Sequence, residues 1–482
     1  MSPTTTPGGG EAQRARGAAR RQAPALARAL PVLGAMALSA LLVGALLVLD
    51  YTFDQDPHRI FKVSLGIAGL GFVLLNPKIG LLLLPVVAPF LPWIPPTPVP
   101  GLNPLNILLF AIFGTYATSR IVRRLPLVPE NHLGKVLGLL MLVIAVSVVR
   151  GAAFPTGYGF DAALGATTVF RAGTTFATYF IVMAMAHGPE ERRRVWWAVM
   201  VGLLVESIVT IAYGRNGRGG RAIGSIGQSN DLGAFLALFA VPALAGVFGV
   251  KNGFGKAVLL TIFVLASIGV MMSLSRGSMV ALLAGVFVVA WMSSRWAFGL
   301  LVVAMLFSPL WAPDYVKERV QSSSMEVEGT DEVTVDMASE ARLQTWQSIL
   351  EVVKDHPIEG VGFTGLAYVL PEIGEGLGLE EVKDSAHNTW LRMLAETGLI
   401  GLTLFVWLMW KAWMLGYKAA RRARDAFDHA LGIGLCGAVV TLAVNCAFGD
   451  RFFNVVIASS FWMLCALAEV AIGESRAREE EA

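Results

Sequence analysis

DLGAFLALFAVPALAGVFGVKNGFGKAVLLTIFVLASIGVMMSLSRGSMVALLAGVFVVAWM, residues 231–292, decides the fold. Three apolar runs, about 231–250, 257–274 and 277–292, follow one another with only KNGFGK and SR between them. A helix of about 20 apolar residues crosses the hydrocarbon core of a bilayer. Runs of this length joined by turns this short predict consecutive antiparallel membrane helices. Working outward, further spans are expected at about 30–49, 61–75, 79–94, 104–121, 133–149, 164–186, 195–213, 296–311, 389–416, 430–448 and 452–472. The chain is therefore read as an all-α integral membrane protein, a polytopic bundle of about 12–14 transmembrane helices with one large helical outer loop.

Composition agrees. Of 482 residues 55% are hydrophobic and only 15% charged, with mean hydropathy +0.62, against about 25% charged in soluble domains. Soluble enzymes, disulfide scaffolds and disordered chains are excluded, and no basic patch points to nucleic acid. Cys436, Cys446 and Cys465 all sit inside apolar runs, where a thiol behaves as a small hydrophobe. Residues 1–29, with Arg14, Arg16, Arg20, Arg21 and Arg28 and no apolar face, are read as a disordered basic cytoplasmic tail. The run at 30–49 ends in Asp50-Tyr51-Thr52-Phe53 rather than a small-residue cleavage site, so it is read as a retained first span.

Charge fixes the orientation, because cytoplasmic connections collect Lys and Arg. With the N-terminus inside, 23 basic residues fall on inside segments and every inside connection holds at least one. The expected organisation is a first bundle over 30–311 with about eleven spans, a large periplasmic loop over 312–388, about three last spans over 389–472, and a cytoplasmic tail over 473–482. The loop is acidic, with sixteen Asp/Glu against five Lys/Arg. It holds one clear helix, SEARLQTWQSILEVVKDH, in which Leu343, Trp346, Ile349, Leu350 and Val353 recur on one face.

The outer connection GRNGRGGRAIGSIGQSND breaks the charge rule with Arg215, Arg218 and Arg221, and Arg276 does so in the tight outer turn SLSRGSM. An arginine at membrane depth ordinarily snorkels or meets lipid phosphate. Arg215 and Arg218 are read that way. Around Arg221 and Arg276, however, glycines at 219, 220, 224, 227 and 277 allow close backbone approach, and a guanidinium can fork onto phosphate oxygens. These two predict an anionic ligand reached from outside. Among six histidines, His58, His132, His187 and His429 read as solvated connection residues and His356 as a helix C-terminal residue. His387 closes the outer loop immediately before a membrane helix, beside Asp384 and Asn388, and reads either as a cap or satisfied polar group, the commoner role for a histidine at a helix start, or as a candidate for proton transfer. The string Gly360-Val361-Gly362-Phe363-Thr364-Gly365 follows a helix rather than a strand and reads as a turn, not a dinucleotide site. The acidic run Glu326 to Asp336 lacks the spacing of a calcium loop. Arg171 and Glu206, both mid-span, are expected to pair with each other.

Four strings, GRAIGSIGQSNDLGAFLAL, SLSRGSMVALLAG, ARLQTWQSILEVVKDHPIEGVGF and HNTWLRMLAETGLIGLTLF, resemble the O-antigen ligase and polymerase family of bacterial membrane glycosyltransferases, over about 205–410. The last resembles the ligase pattern of His-Asn, nine residues and Gly-x-x-Gly (His387-Asn388, Gly398, Gly401), departing at Leu402, where the pattern has Thr. The resemblance implies a saccharide donor on undecaprenyl diphosphate and transfer by inversion at the periplasmic side of the bacterial inner membrane. The acceptor would be a glycan, lipid A-core or protein. It implies Arg221 and Arg276 on the diphosphate, Arg342 as a further anion contact, and His387 assisting the acceptor hydroxyl, with no metal, nucleotide or other cofactor. En bloc ligation, polymerisation onto a second lipid-linked saccharide, and transport of polyprenyl-linked sugars all remain open. Transport predicts repeats and broken helices at the bilayer midplane, and no repeat is found.

Overall fold

The computed structural model describes residues 71, 73–93, 104–122, 124, 130–153, 159–306, 324–326, 333–335, 337–379, 382 and 385–480. The expected tail over 1–29, the span at 30–49, most of the span at 61–75, and Asp384 lie outside them. In chain order the helices are α1 Pro77–Val87, α2 Pro104–Val122, α3 Gly134–Ala153, α4 Ala162–Met185, α5 Pro189–Tyr213, α6 Ser229–Gly249, α7 Gly253–Met272, α8 Arg276–Ser293 and α9 Arg295–Leu306. The outer loop contributes the antiparallel pair β1 Ser324–Glu326 and β2 Val333–Val335, then α10 Met337–Asp355 and α11 Leu366–Gly376. The chain closes with α12 Thr389–Arg422, α13 Ala426–Cys446 and α14 Val455–Glu480. Eight of the described helices (α3, α5–α8 and α12–α14) are long and apolar enough to cross a membrane, with shorter apolar helices over 77–93 and 106–122. The molecule is an all-α, multi-pass membrane protein to which the loop adds one two-stranded ribbon.

Two compact units divide the chain. In the smaller, the described residues are those within 71–80 and 110–118, where Val73 and Ile112 close on Gly80. The larger holds everything discussed below. At its centre α6 packs on α13, α7 and α8, and α13 packs on α12. Membrane helices associate closely where small residues let backbones approach. A Cβ on Gly432 would meet Ala420 N at 2.3 Å and Gly416 O at 2.6 Å, and one on Gly437 would meet Val241 and Gly285 O.

Alternation of the helices brings the ends of α5, α7 and α13 and the starts of α6, α8, α12 and α14 to one face. Contacts confirm it: Ala222 N donates to Met272 O at 2.9 Å, and Thr389 Oγ1 to Gly449 O at 2.8 Å. On the opposite face, buried Arg192 is held bidentately by Asp428 (3.0 and 2.8 Å) and by Glu474 (2.7 Å).

Several local expectations change. Glu206 does not pair with Arg171, which is exposed on α4. Its Oε1 accepts from Ser225 N at 3.0 Å and its Oε2 from the Ser225 hydroxyl. His132 is no solvated loop residue, since its Nδ1 lies 2.5 Å from Glu469 Oε1, while Tyr179 donates to Glu469 Oε2 at 2.7 Å. On α10, Ile349 and Val352 are buried and pack with Val361, Leu366, Val369 and Leu370, with Trp346 and Val353 at the edge. Leu343 and Leu350 stay exposed, because α10 rests on that cluster through a narrower stripe than its periodicity suggests.

Candidate active site

The connection between α5 and α6 is a glycine-built loop. Gly219, Gly220, Gly224 and Gly227 have φ between +54° and +80°, a region open to glycine at little cost. These turns bring Arg221 against the α7–α8 turn, where its Nε donates to Ser273 O at 2.9 Å and its Nη2 to Asn230 Oδ1 at 2.6 Å. Ser273 is three residues from Arg276, the first residue of α8. Two arginines widely separated in sequence thus belong to one strapped unit.

The α13–α14 connection, residues 447–454, ties this unit to the histidine segment. Phe448 lies directly against Gly277, so closely that a Cβ there would meet it at 2.5 Å. Arg451, 6% exposed, forms an ion pair through Nη1 with Asp231 Oδ1, and its backbone N–H points to Thr389 Oγ1 at 3.3 Å. Burial, followed by the charge on neighbouring Arg221, pushes the Arg451 guanidinium down to about 10, so it stays protonated at neutral pH. Ser385 Oγ donates to Asp450 Oδ2 at 3.0 Å and lies 3.4 Å from the backbone N of His387. Phe452 anchors the connection from below, ringed by Phe176, Phe405, Phe453 and Trp462 at 4.8–5.9 Å.

His387 itself has φ +45°, uncommon for a residue with a Cβ. Asn388 follows as the N-cap of α12, accepting from Trp390 N at 3.0 Å and Leu391 N at 3.2 Å. The outer helix α10 reaches the same segment: Trp346 Nε1 donates to Ala386 O at 2.9 Å. Arg342 is four residues earlier and shares that helix face.

Below the histidine α12 is broken. Gly398 has φ +66° and ψ −169°, and a Cβ there would lie 1.8 Å from Ile358 O. The carbonyls freed at the break are satisfied by the outer loop, with Val361 N donating to Ala395 O (2.8 Å) and Gly362 N to Glu396 O (3.0 Å). Ser147 Oγ also donates to Glu396 O, at 2.8 Å. The glycine string 360–365 is the turn that docks here.

Residues 261–406 match the family model for O-antigen ligase. Over this segment the protein is similar to the O-antigen ligase family. The O-antigen ligase segment contains Arg276, Arg342, His387 and the Gly398 break, and leaves Arg221, Asp231 and Arg451 outside it. No curated protein matches the chain. Sequence reasoning missed Arg451, Asp231 and Asn230. One signal was present: Gly449-Asp450-Arg451 places an arginine in a short outer connection, against the same charge rule that exposed Arg221.

Proposed function

We propose that the protein transfers a saccharide from an undecaprenyl diphosphate carrier to an acceptor hydroxyl at the periplasmic face of the bacterial inner membrane, in lipopolysaccharide or exopolysaccharide synthesis. The observation that supports this best is the convergence of Arg221, the Arg276 turn, Arg451 and the His387 segment on one end of the bundle. Membrane proteins rarely concentrate arginines at such depth without an anion to receive.

In this reading Arg221 and Arg276 hold the diphosphate, and Arg342 meets it from the loop side. The acceptor oxygen attacks the anomeric carbon, the bond from that carbon to the diphosphate oxygen breaks, and its electron pair leaves with the diphosphate. Guanidinium groups stabilise the charge that grows there. His387 takes the hydroxyl proton as general base. A single displacement inverts the anomeric centre, and the reaction needs no metal. Arg451, committed to Asp231, supports the arrangement by fixing the start of α6, where Asn230 holds Arg221.

Polymerisation is the second reading, favoured by Leu402 where the ligase pattern has Thr. Deletion followed by analysis of lipid-linked intermediates separates the two. Ligation predicts accumulated undecaprenyl-linked long chains, and polymerisation predicts undecaprenyl-linked single repeats. Accumulation of neither, or transfer by purified protein that stops in chelator and returns with magnesium, refutes the assignment.

A further inference from the structure

The glycine-built loop that carries Arg221 has a second surface. A cavity of about 390 Å³ is lined by Trp93, Tyr213, Asn216, Ile223, Gly224 and Gly227, with Pro92 and Ser225 completing its wall. That volume falls in the range of about 300–1,000 Å³ typical of small-ligand sites. Trp93 and Tyr213 meet edge to face, 5.6 Å between centroids at 66°, and are 50% and 57% exposed, so each keeps an open ring surface. Asn216 adds an exposed amide with both donor and acceptor capacity.

The wall is preformed. Ser225 Oγ donates to Pro89 O at 2.9 Å, tying the loop to the segment that carries Trp93, while buried Glu206 accepts from Ser225 N and Oγ. A Cβ on Gly224 would meet Glu206 Oε1, so the loop backbone lies against this floor.

We propose that this cavity is the subsite for the first sugars of the donor, next to the diphosphate held by Arg221. The decisive juxtaposition is that Ile223 in the cavity wall lies two residues beyond Arg221, no more than about 7 Å of extended backbone, a distance that the sugars next to a diphosphate at Arg221 can bridge. Open aromatic faces suit the apolar C–H faces of a pyranose, and the amide suits its hydroxyls. Selection among sugars resides here, whereas the diphosphate contacts are common to every donor. The inference rests on the diphosphate reading of Arg221.

The test measures binding to full-length protein in nanodiscs. Probes are bare undecaprenyl diphosphate and the same carrier bearing glucose, galactose, N-acetylglucosamine or N-acetylgalactosamine. The expected result is tighter binding of at least one glycosylated probe than of the bare carrier. Trp93→Ala and, independently, Asn216→Ala should each weaken that probe about tenfold, the scale of a lost contact, while leaving the bare carrier within twofold. Asn216 is an exposed loop residue, so its variant remains informative if Trp93→Ala does not fold. No sugar preference in the unmutated protein, or no loss in Asn216→Ala, overturns the proposal. Equal loss for bare and glycosylated probes also overturns it and assigns the cavity to the prenyl chain. Arg221→Ala should weaken every probe; if it weakens none, the diphosphate reading fails separately.

Discussion

Arg221 is held by two anchors, the carbonyl of Ser273 and the amide of Asn230, and this allows its role to be isolated by a double-mutant cycle. Under the proposed function, Arg221→Ala removes the forked contact with the diphosphate. Two charge-assisted hydrogen bonds at about 1.5–3 kcal/mol each correspond to a loss of roughly 10²- to 10⁴-fold in affinity. Arg221→Lys keeps the charge, but a single ammonium cannot serve Ser273 O, Asn230 Oδ1 and a bidentate ligand together, and it should recover only about half of that free energy. Asn230→Ala leaves the guanidinium with its Ser273 anchor and costs about 1 kcal/mol, roughly fivefold, through lost orientation. The assay is equilibrium binding of radiolabelled undecaprenyl diphosphate to purified protein in nanodiscs at fixed ionic strength, since screening alters such contacts. In the Arg221→Ala background, Asn230→Ala should change affinity by less than twofold. An Asn230→Ala penalty of the same size in both backgrounds would show that the amide acts on something other than Arg221 and refute the reasoning.

Arg451→Met should destabilise the protein by about 3 kcal/mol, because it strands Asp231 without its buried partner; adding Asp231→Asn should restore part of the loss in thermal unfolding in detergent. His387→Ala should lower transfer by about 10²- to 10⁴-fold while leaving donor affinity within twofold, as measured by single-turnover assay beside binding. Gly398→Ala places a Cβ on the Ile358 carbonyl and should undock the 357–362 segment, seen as rapid proteolysis of the outer loop. The Glu359 carboxyl lies below its ordinary value, chiefly through a hydrogen bond from its own backbone N–H and then through His356 and Arg150. Its contribution is therefore present above the ordinary carboxylate range and lost as pH falls through the depressed value. Glu359→Gln should accordingly lower the melting temperature at neutral pH, and the difference should vanish in acid.

Apolar run length is enough to locate the eight described helices that can cross a membrane, because in lipid a spanning segment must satisfy its own backbone and so declares itself by length and hydropathy. The charge rule marks Arg215, Arg218, Arg221 and Arg276 alike, and only the glycines around Arg221 and Arg276 single those two out as candidates. Partners were harder. Asp450 beside Arg451 looks like local neutralisation, yet Asp450 turns to Ser385 and Arg451 to Asp231, both distant in sequence. Glu206 and Arg171 looked like a pair because both interrupt apolar runs, but a serine in the outer loop satisfies the carboxylate at lower desolvation cost than a second buried charge. The break at Gly398 lies within a spacing that the sequence displays, but its cause, a loop carbonyl occupying the place of a side chain, belongs to tertiary structure alone.

That break has a consequence for the lipid. Unbroken, the 34 residues of α12 would extend about 51 Å at about 1.5 Å per residue, far beyond a hydrocarbon core of about 30 Å. Divided at Gly398, the part from Leu399 to Arg422 extends about 36 Å and spans the core with modest tilt, while Thr389–Thr397 lies at the outer boundary with the loop. A thicker or thinner bilayer acts on the longer piece by changing its tilt, and the change is delivered at the glycine to the short piece that follows His387. Under the proposed function, bilayer thickness is therefore expected to act on the site, as pH or salt would.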